Sequence, residues 1–280
     1  MTTATHHTLV DAATLRGWAG PLVLLDCSFD LGDPGAGERA HAAGHIPGAS
    51  YAHLDRDLSG PKTGHNGRHP LPERGAFAAA AGRWGVRPGV QVVTYDAQGS
   101  PYAARAWWLL RWLGHDAVAV LDGGLAAWLA AGGALATGTE AAAPLPPYPA
   151  AAAPAMRTID ATALRAALGR VRVLDARAGE RFRGEVEPLD RVAGHIPGAT
   201  HRFFKDNLQA DGRFKPAAAL RAEFDAYATP ADHVVHQCGS GVTACHNLLA
   251  MAHAGLEGSR LYPGSWSEWS SDPARPVAVG

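Results

Sequence analysis

The sequence predicts an α/β protein built from two tandem copies of one domain, each a mainly parallel central sheet flanked by helices. Three observations lead there. Ala43-Gly44-His45-Ile46-Pro47-Gly48-Ala49 returns as Ala193-Gly194-His195-Ile196-Pro197-Gly198-Ala199, a spacing that means a duplicated domain rather than a solenoid of small units. Short buried strands alternate with amphipathic helices in both halves, the pattern of parallel strands joined by helical crossovers. Residues 234–253 then read as a buried strand, a tight loop and a helix. At 280 residues, 47% of them hydrophobic, the chain has material for two ordinary cores.

In the first copy, Leu22 to Asp26 is a short strand ending in Asp. Glu73 to Trp84 and Ser100 to Leu113 read as helices around the strand Gln91 to Tyr95. In the second copy, Val171 to Asp175, Pro216 to Tyr227, Val234 to Gln237 and Val242 to Ala254 take those parts. Val118-Ala119-Val120-Leu121-Asp122-Gly123-Gly124 with Trp128 matches Arg260-Leu261-Tyr262-Pro263-Gly264 with Trp269. The predicted domains are residues 8–136 and 156–276. Residues 137–155, rich in Ala and Pro, read as an extended linker over the surface.

A formal net charge of −1 disfavours nucleic-acid or membrane-surface partners held by bulk electrostatics. The most hydrophobic stretch, Ala103 to Leu113, is interrupted by Arg105 and Arg111 and falls short of a membrane span. Met1 to Leu15 has no basic start followed by an apolar run, and three cysteines make no even disulfide framework. Together these predict a cytoplasmic protein. Fourteen histidines raise the question of zinc, but none falls in a Cys-x-x-Cys or His-Glu-x-x-His spacing, so no metal is expected.

Cys238 is the candidate nucleophile. It lies where the strand Val234 to Gln237 ends, with Gly239 and Gly241 in the loop and a helix starting near Thr243. Backbone N–H groups and a helix N-terminus around a sulfur form an anion cradle that favours thiolate. A Cys-loop phosphatase would need Arg at position 244, which is Ala. Cys27 has no glycine cradle and Cys245 lies seven residues after Cys238, beyond the loop, so both read as core. The first copy has Asp96-Ala97-Gln98-Gly99-Ser100-Pro101 for its loop, which sets Ala97 opposite Cys238. His45, His195, Asp26 and Asp175 occur in both copies, one of which lacks the nucleophile, and so read as scaffold.

The duplicated domain, the His-Ile-Pro-Gly-Ala segments and the lone Cys in its cradle resemble the tandem-rhodanese sulfurtransferases, from about Leu9 to Trp269. Cys238-Gly239-Ser240-Gly241-Val242-Thr243-Ala244 looks like the loop of the family's mercaptopyruvate branch; the thiosulfate branch has cations where Gly239 and Ser240 stand. The resemblance implies that Cys238 takes sulfur as a persulfide from 3-mercaptopyruvate and gives it to cyanide, a small thiol or a thioredoxin-like protein. No cofactor is implied. Backbone N–H groups of Gly239, Ser240, Gly241, Val242 and Thr243 would stabilise the anionic sulfur. Arg181 matches the family's substrate-facing Arg, a group suited to carboxylates. A second Arg is expected after Glu187-Pro188, where this chain has Asp190, with Arg191 the nearest candidate. Ser240, His69 and Asp55 match the family's Ser-His-Asp arrangement, which would draw His69 and Asp55 from the first half into an interface site. The alternatives are a thiosulfate:cyanide sulfurtransferase and, from another class, a persulfide-carrier or regulatory module.

Overall fold

β-Branched and aliphatic runs supply the strands, because such side chains pack well on a pleated surface covered on both faces. The computed structural model describes residues 4–139, 144–227 and 229–280. By its contacts the chain divides into two units. The first is Met1–Gly60, Pro72–Ala155 and Ala210–Phe214; the second is Pro61–Leu71, Met156–Gln209 and Lys215–Gly280.

The first unit runs β1 (Leu9–Val10), α1 (Ala12–Arg16), β2 (Leu22–Asp26), α2 (Ala36–Ala43), β3 (Ala49–Tyr51), α3 (Arg74–Arg83), β4 (Gln91–Tyr95), α4 (Pro101–Leu113), β5 (Val118–Leu121) and α5 (Gly124–Ala130). Its sheet has the order β1-β5-β4-β2-β3 with every pair parallel. Val10, Leu24, Val93, Tyr95 and Leu121 pack with Leu15, Ile46 and Trp128 in one core cluster. α4 is apolar nearly all round, as a fully covered helix must be, and Trp107, Trp108 and even Arg105 on it are buried. The tail of the predicted linker is bound to this unit. Leu145, Tyr148 and Ala151 donate backbone N–H groups to Gly82, Ala78 and Leu113. A Cβ at Gly82 would lie 2.3 Å from the Pro146 carbonyl oxygen, so glycine is what admits that strand of chain. Residues 140–143 of the linker lie outside the described residues.

The second unit repeats the plan: β6 (Arg157–Thr158), α6 (Ala161–Ala167), β7 (Arg172–Asp175), α7 (Gly179–Arg183), β8 (Thr200–His201), α8 (Ala217–Asp225), β9 (Val234–Gln237), α9 (Thr243–His253), β10 (Arg260–Leu261) and α10 (Ser265–Trp269). The parallel order β6-β10-β9-β7-β8 is the first sheet's order strand for strand. The repeated histidines tie down chain in both. His45 bridges to Ala136 and His195 to Ala278, and their Nδ1 atoms lie 2.8 Å from the carbonyls of His41 and Phe182.

The strand registers correct one expectation. Tyr95 pairs with Asp26 and Gln237 with Asp175, so the residue matching Cys238 is Asp96, not Ala97. Leu125 and Trp266 confirm it, donating to the carbonyls of Asp96 and Cys238 respectively. The buried Asp96 carboxylate accepts the N–H groups of Gln98, Ser100, Tyr102 and Ala103 at 2.8–3.0 Å. The first copy thus keeps the anion cradle and fills it with its own carboxylate.

His236, beneath the second loop on β9, is fully buried, with Nε2 3.1 Å from the Met251 sulfur. Burial pushes its pKa down from 6.5 to about 3. The imidazole is neutral in the fold, whereas the unfolded chain takes up a proton near 6.5. The stability is therefore fully present above 6.5 and is lost as pH falls through the window towards 3. We expect the unfolding free energy from urea titrations to drop as the pH falls below 6.5, with a slope approaching about 1.4 kcal/mol per pH unit. His236→Leu should flatten that slope; an unchanged slope would refute the assignment.

Candidate active site: a cysteine loop in the second unit

β9 ends in a buried row, Val234 to Gln237, and delivers Cys238 at its carboxyl end, 2% exposed. In open α/β sheets this end of a strand is where ligands bind. The Cys238 Sγ accepts the Gly241 N–H at 3.1 Å. That turn needs Gly241 at φ +79°, where a Cβ would also lie 2.3 Å from the Pro263 carbonyl oxygen. The N-terminus of the eleven-residue helix α9 follows at Thr243, after Val242, and its dipole favours negative charge on the loop.

The start of α10 laces this loop down. The Cys238 N–H donates to Ser265 Oγ at 3.1 Å, and Ser265 donates to the Tyr262 carbonyl at 2.9 Å. Trp266 and Ser267 donate back to the carbonyls of Cys238 and Gly239, both at 2.9 Å. Ser265 holds φ +54°, unusual for a residue with a Cβ. Such strain persists where surrounding bonds over-determine it.

Beside the cysteine, the Ser240 oxygen and His69 Nδ1 lie 2.7 Å apart, both residues buried. His69 belongs to Pro61–Leu71, which packs with the second unit, so it joins the cysteine loop within one unit. Asp55 is counted with the first unit. It stands in the turn after β3, its N–H donating to His53 Nδ1 at 3.1 Å.

Charged side chains of the second unit form an alternating chain towards the loop. Asp175 binds Arg177 at 2.7 Å in full burial, and Arg177 reaches Glu187 at 3.4 Å. Glu187 binds Arg181 at 2.6 Å, Arg181 reaches Asp190 at 3.4 Å, and Asp190 pairs with Arg68. Arg181, on α7, thus pairs with Glu187 and still stands beside the loop: a Cβ at Gly239 would lie 3.3 Å from its Nη1. Arg191 is exposed, with no ion pair among the described residues. The sequence reading missed Arg68 and Ser265. Neither stands in the cysteine motif, and no spacing links them to it.

Cys245 is buried and donates to the Gly241 carbonyl at 3.3 Å. Burial raises the Cys27 thiol well above its ordinary range, the neighbouring carboxylates adding to the effect. Cys27 is therefore a poor nucleophile. Among the described residues no group of three or more His, Cys, Asp or Glu is placed to hold a metal, and no helix is long and apolar enough to cross a membrane.

The Rhodanese-like domain matches this chain twice, over residues 10–131 and 160–272. The chain belongs to the rhodanese-like family. It is 54% identical over 266 residues to a Pseudomonas aeruginosa protein named "Probable 3-mercaptopyruvate sulfurtransferase", covering 92% of this chain and 93% of that one. It is 39% identical to the 3-mercaptopyruvate sulfurtransferase of Homo sapiens, covering 92% and 88%. The crystal structure of SseA from Escherichia coli, presented among the 3-mercaptopyruvate sulfotransferases, superposes with a TM-score of 0.77 at 31% identity, covering 93% and 99%. Of the two rhodanese-like domains here, the second has a thiol in its loop and the first a carboxylate.

Proposed function

We infer that this protein is a 3-mercaptopyruvate sulfurtransferase. The observation that carries the reading is a cysteine whose sulfur accepts the Gly241 N–H, two residues from a buried Ser240–His69 pair. The Cys238 thiolate attacks the substrate's thiol sulfur, forming the S–S bond as the C–S bond breaks. The electron pair leaves on the enolate of pyruvate, and the thiol proton ends on its methyl carbon. With Nδ1–H of His69 donating to Ser240, the Ser hydroxyl is free to donate to the substrate ketone and stabilise that enolate. The persulfide then yields its outer sulfur to cyanide, a small thiol or a thioredoxin-like protein, giving two half-reactions and ping-pong kinetics. Asp55 enters as third member of the set by the family resemblance alone, and the cytoplasm is the proposed location.

Thiosulfate is the poorer donor on this reading. It carries two negative charges, while Arg68, Arg177 and Arg181 are balanced by Asp175, Glu187 and Asp190. A carrier module would load once without cycling. The test compares steady-state turnover of the two donors in the wild type and Ser240→Ala. Thiosulfate expels sulfite and needs no enolate stabilised. Ser240→Ala should therefore lower kcat with mercaptopyruvate by roughly a hundredfold and leave thiosulfate turnover nearly unchanged. A wild-type preference for thiosulfate, or single-turnover loading alone, would overturn the reading.

A further inference from the structure

Asp190 stands where the resemblance leads one to expect a second substrate arginine, and the structure supplies a guanidinium from elsewhere. Arg68 lies 122 positions earlier in the chain and pairs with Asp190 Oδ1 through Nη1. Arg181 approaches the other oxygen of the same carboxylate, Oδ2, through Nη2 at 3.4 Å. Asp190 therefore sits between two guanidinium groups and holds them side by side.

Each arginine keeps one terminal nitrogen with no hydrogen-bond partner among the described residues: Nη2 of Arg68 and Nη1 of Arg181. Both converge on the residue after the cysteine. A Cβ at Gly239 would lie 2.9 Å from Arg68 Nη2 and 3.3 Å from Arg181 Nη1. The open face of the cluster is cationic. The side chains of Arg68 and Arg181 are 26% and 17% exposed, those of Asp190 and Glu187 only 7% and 3%. Arg68 is also held in place. Its N–H donates to Ser267 Oγ at 3.0 Å, on α10, whose Trp266 binds the Cys238 carbonyl. Gly67 before it, at φ +83°, has room for no Cβ against the Gly264 carbonyl oxygen at 2.7 Å.

We propose that Arg68 and Arg181 together bind the carboxylate of an α-keto acid beside Cys238, with Asp190 as the spacer that positions both. The second arginine is thus Arg68, not Arg191. The proposal rests on the mercaptopyruvate reading for the identity of the substrate, while the carboxylate site itself is testable without turnover.

Pyruvate serves as a non-reacting carboxylate probe in calorimetric titrations of the wild type, Arg68→Gln and Arg68→Lys. Loss of one charge-assisted contact in Arg68→Gln should weaken pyruvate binding about tenfold or more. Arg68→Lys keeps the pair with Asp190 but loses the second free nitrogen, and should weaken binding severalfold even if the glutamine variant does not fold. In turnover, Arg68→Gln should raise KM for mercaptopyruvate with little change in kcat. It should leave KM unchanged for 1-mercaptopropan-2-one, in which a methyl group replaces the carboxylate. Wild-type pyruvate affinity that persists in both variants overturns the proposal, as does an equal loss with both thiols. A wild type that binds pyruvate through Arg68 yet does not turn over mercaptopyruvate would refute the proposed function and leave this site standing.

Discussion

Cys238→Ser is expected to abolish steady-state sulfur transfer, by roughly a thousandfold or more, while leaving the fold intact. Serine keeps the bond pattern of the loop, since its hydroxyl can still accept the Gly241 N–H now received by Sγ. It does not supply a thiolate, and an alkoxide is not available at neutral pH. Cys27→Ser and Cys245→Ala provide the contrast. Neither thiol lies in the cradle, both are buried, and burial raises the Cys27 thiol away from its reactive form. Turnover should survive both changes. Activity retained in Cys238→Ser, or lost equally in Cys27→Ser, would contradict the assignment.

The second large effect is expected at Gly241. Its φ of +79° costs an alanine about 1–2 kcal/mol from the backbone alone. A Cβ there would also lie 2.3 Å from the Pro263 carbonyl oxygen, a backbone atom that yields only if the lacing between the cysteine loop and α10 shifts. Gly241 carries in addition the N–H that the Cys238 sulfur accepts. Gly241→Ala should therefore destabilise the protein by about 3 kcal/mol or more and slow persulfide formation by at least about tenfold. Gly198→Ala is the matched control. It has φ +76° with nothing within 4 Å of the added Cβ, so it meets the backbone cost without the collision. Equal urea midpoints for the two variants would show that the contact with Pro263 carries nothing.

Much of this was legible in the sequence because it is written locally. The repeated His-Ile-Pro-Gly-Ala segments, the apolar run before Cys238 and the glycines after it each sit within a few residues of the structure they specify. The first loop was misjudged by one residue for a physical reason. Equivalence there is fixed by the pairing of Tyr95 with Asp26 across the sheet, and the four-residue β9 and five-residue β4 align ambiguously without it. The two-residue edge strands β1 and β6 are too short to show a period. Arg68 was invisible for another reason. Its partner Asp190 is far away in sequence, and the segment bearing it packs with the later unit. Ser265 adopts a left-handed conformation under tertiary constraint, against its own preference, and no sequence pattern announces that.

Cys238 should carry the transferred sulfur, and mass spectrometry of the wild-type protein, mixed once with 3-mercaptopyruvate in the absence of an acceptor, reads this out. A gain of one sulfur atom, located on the peptide containing Cys238 and matched by an equal amount of pyruvate, is the predicted result. No gain, or a sulfur located on Cys27 or Cys245, would contradict it.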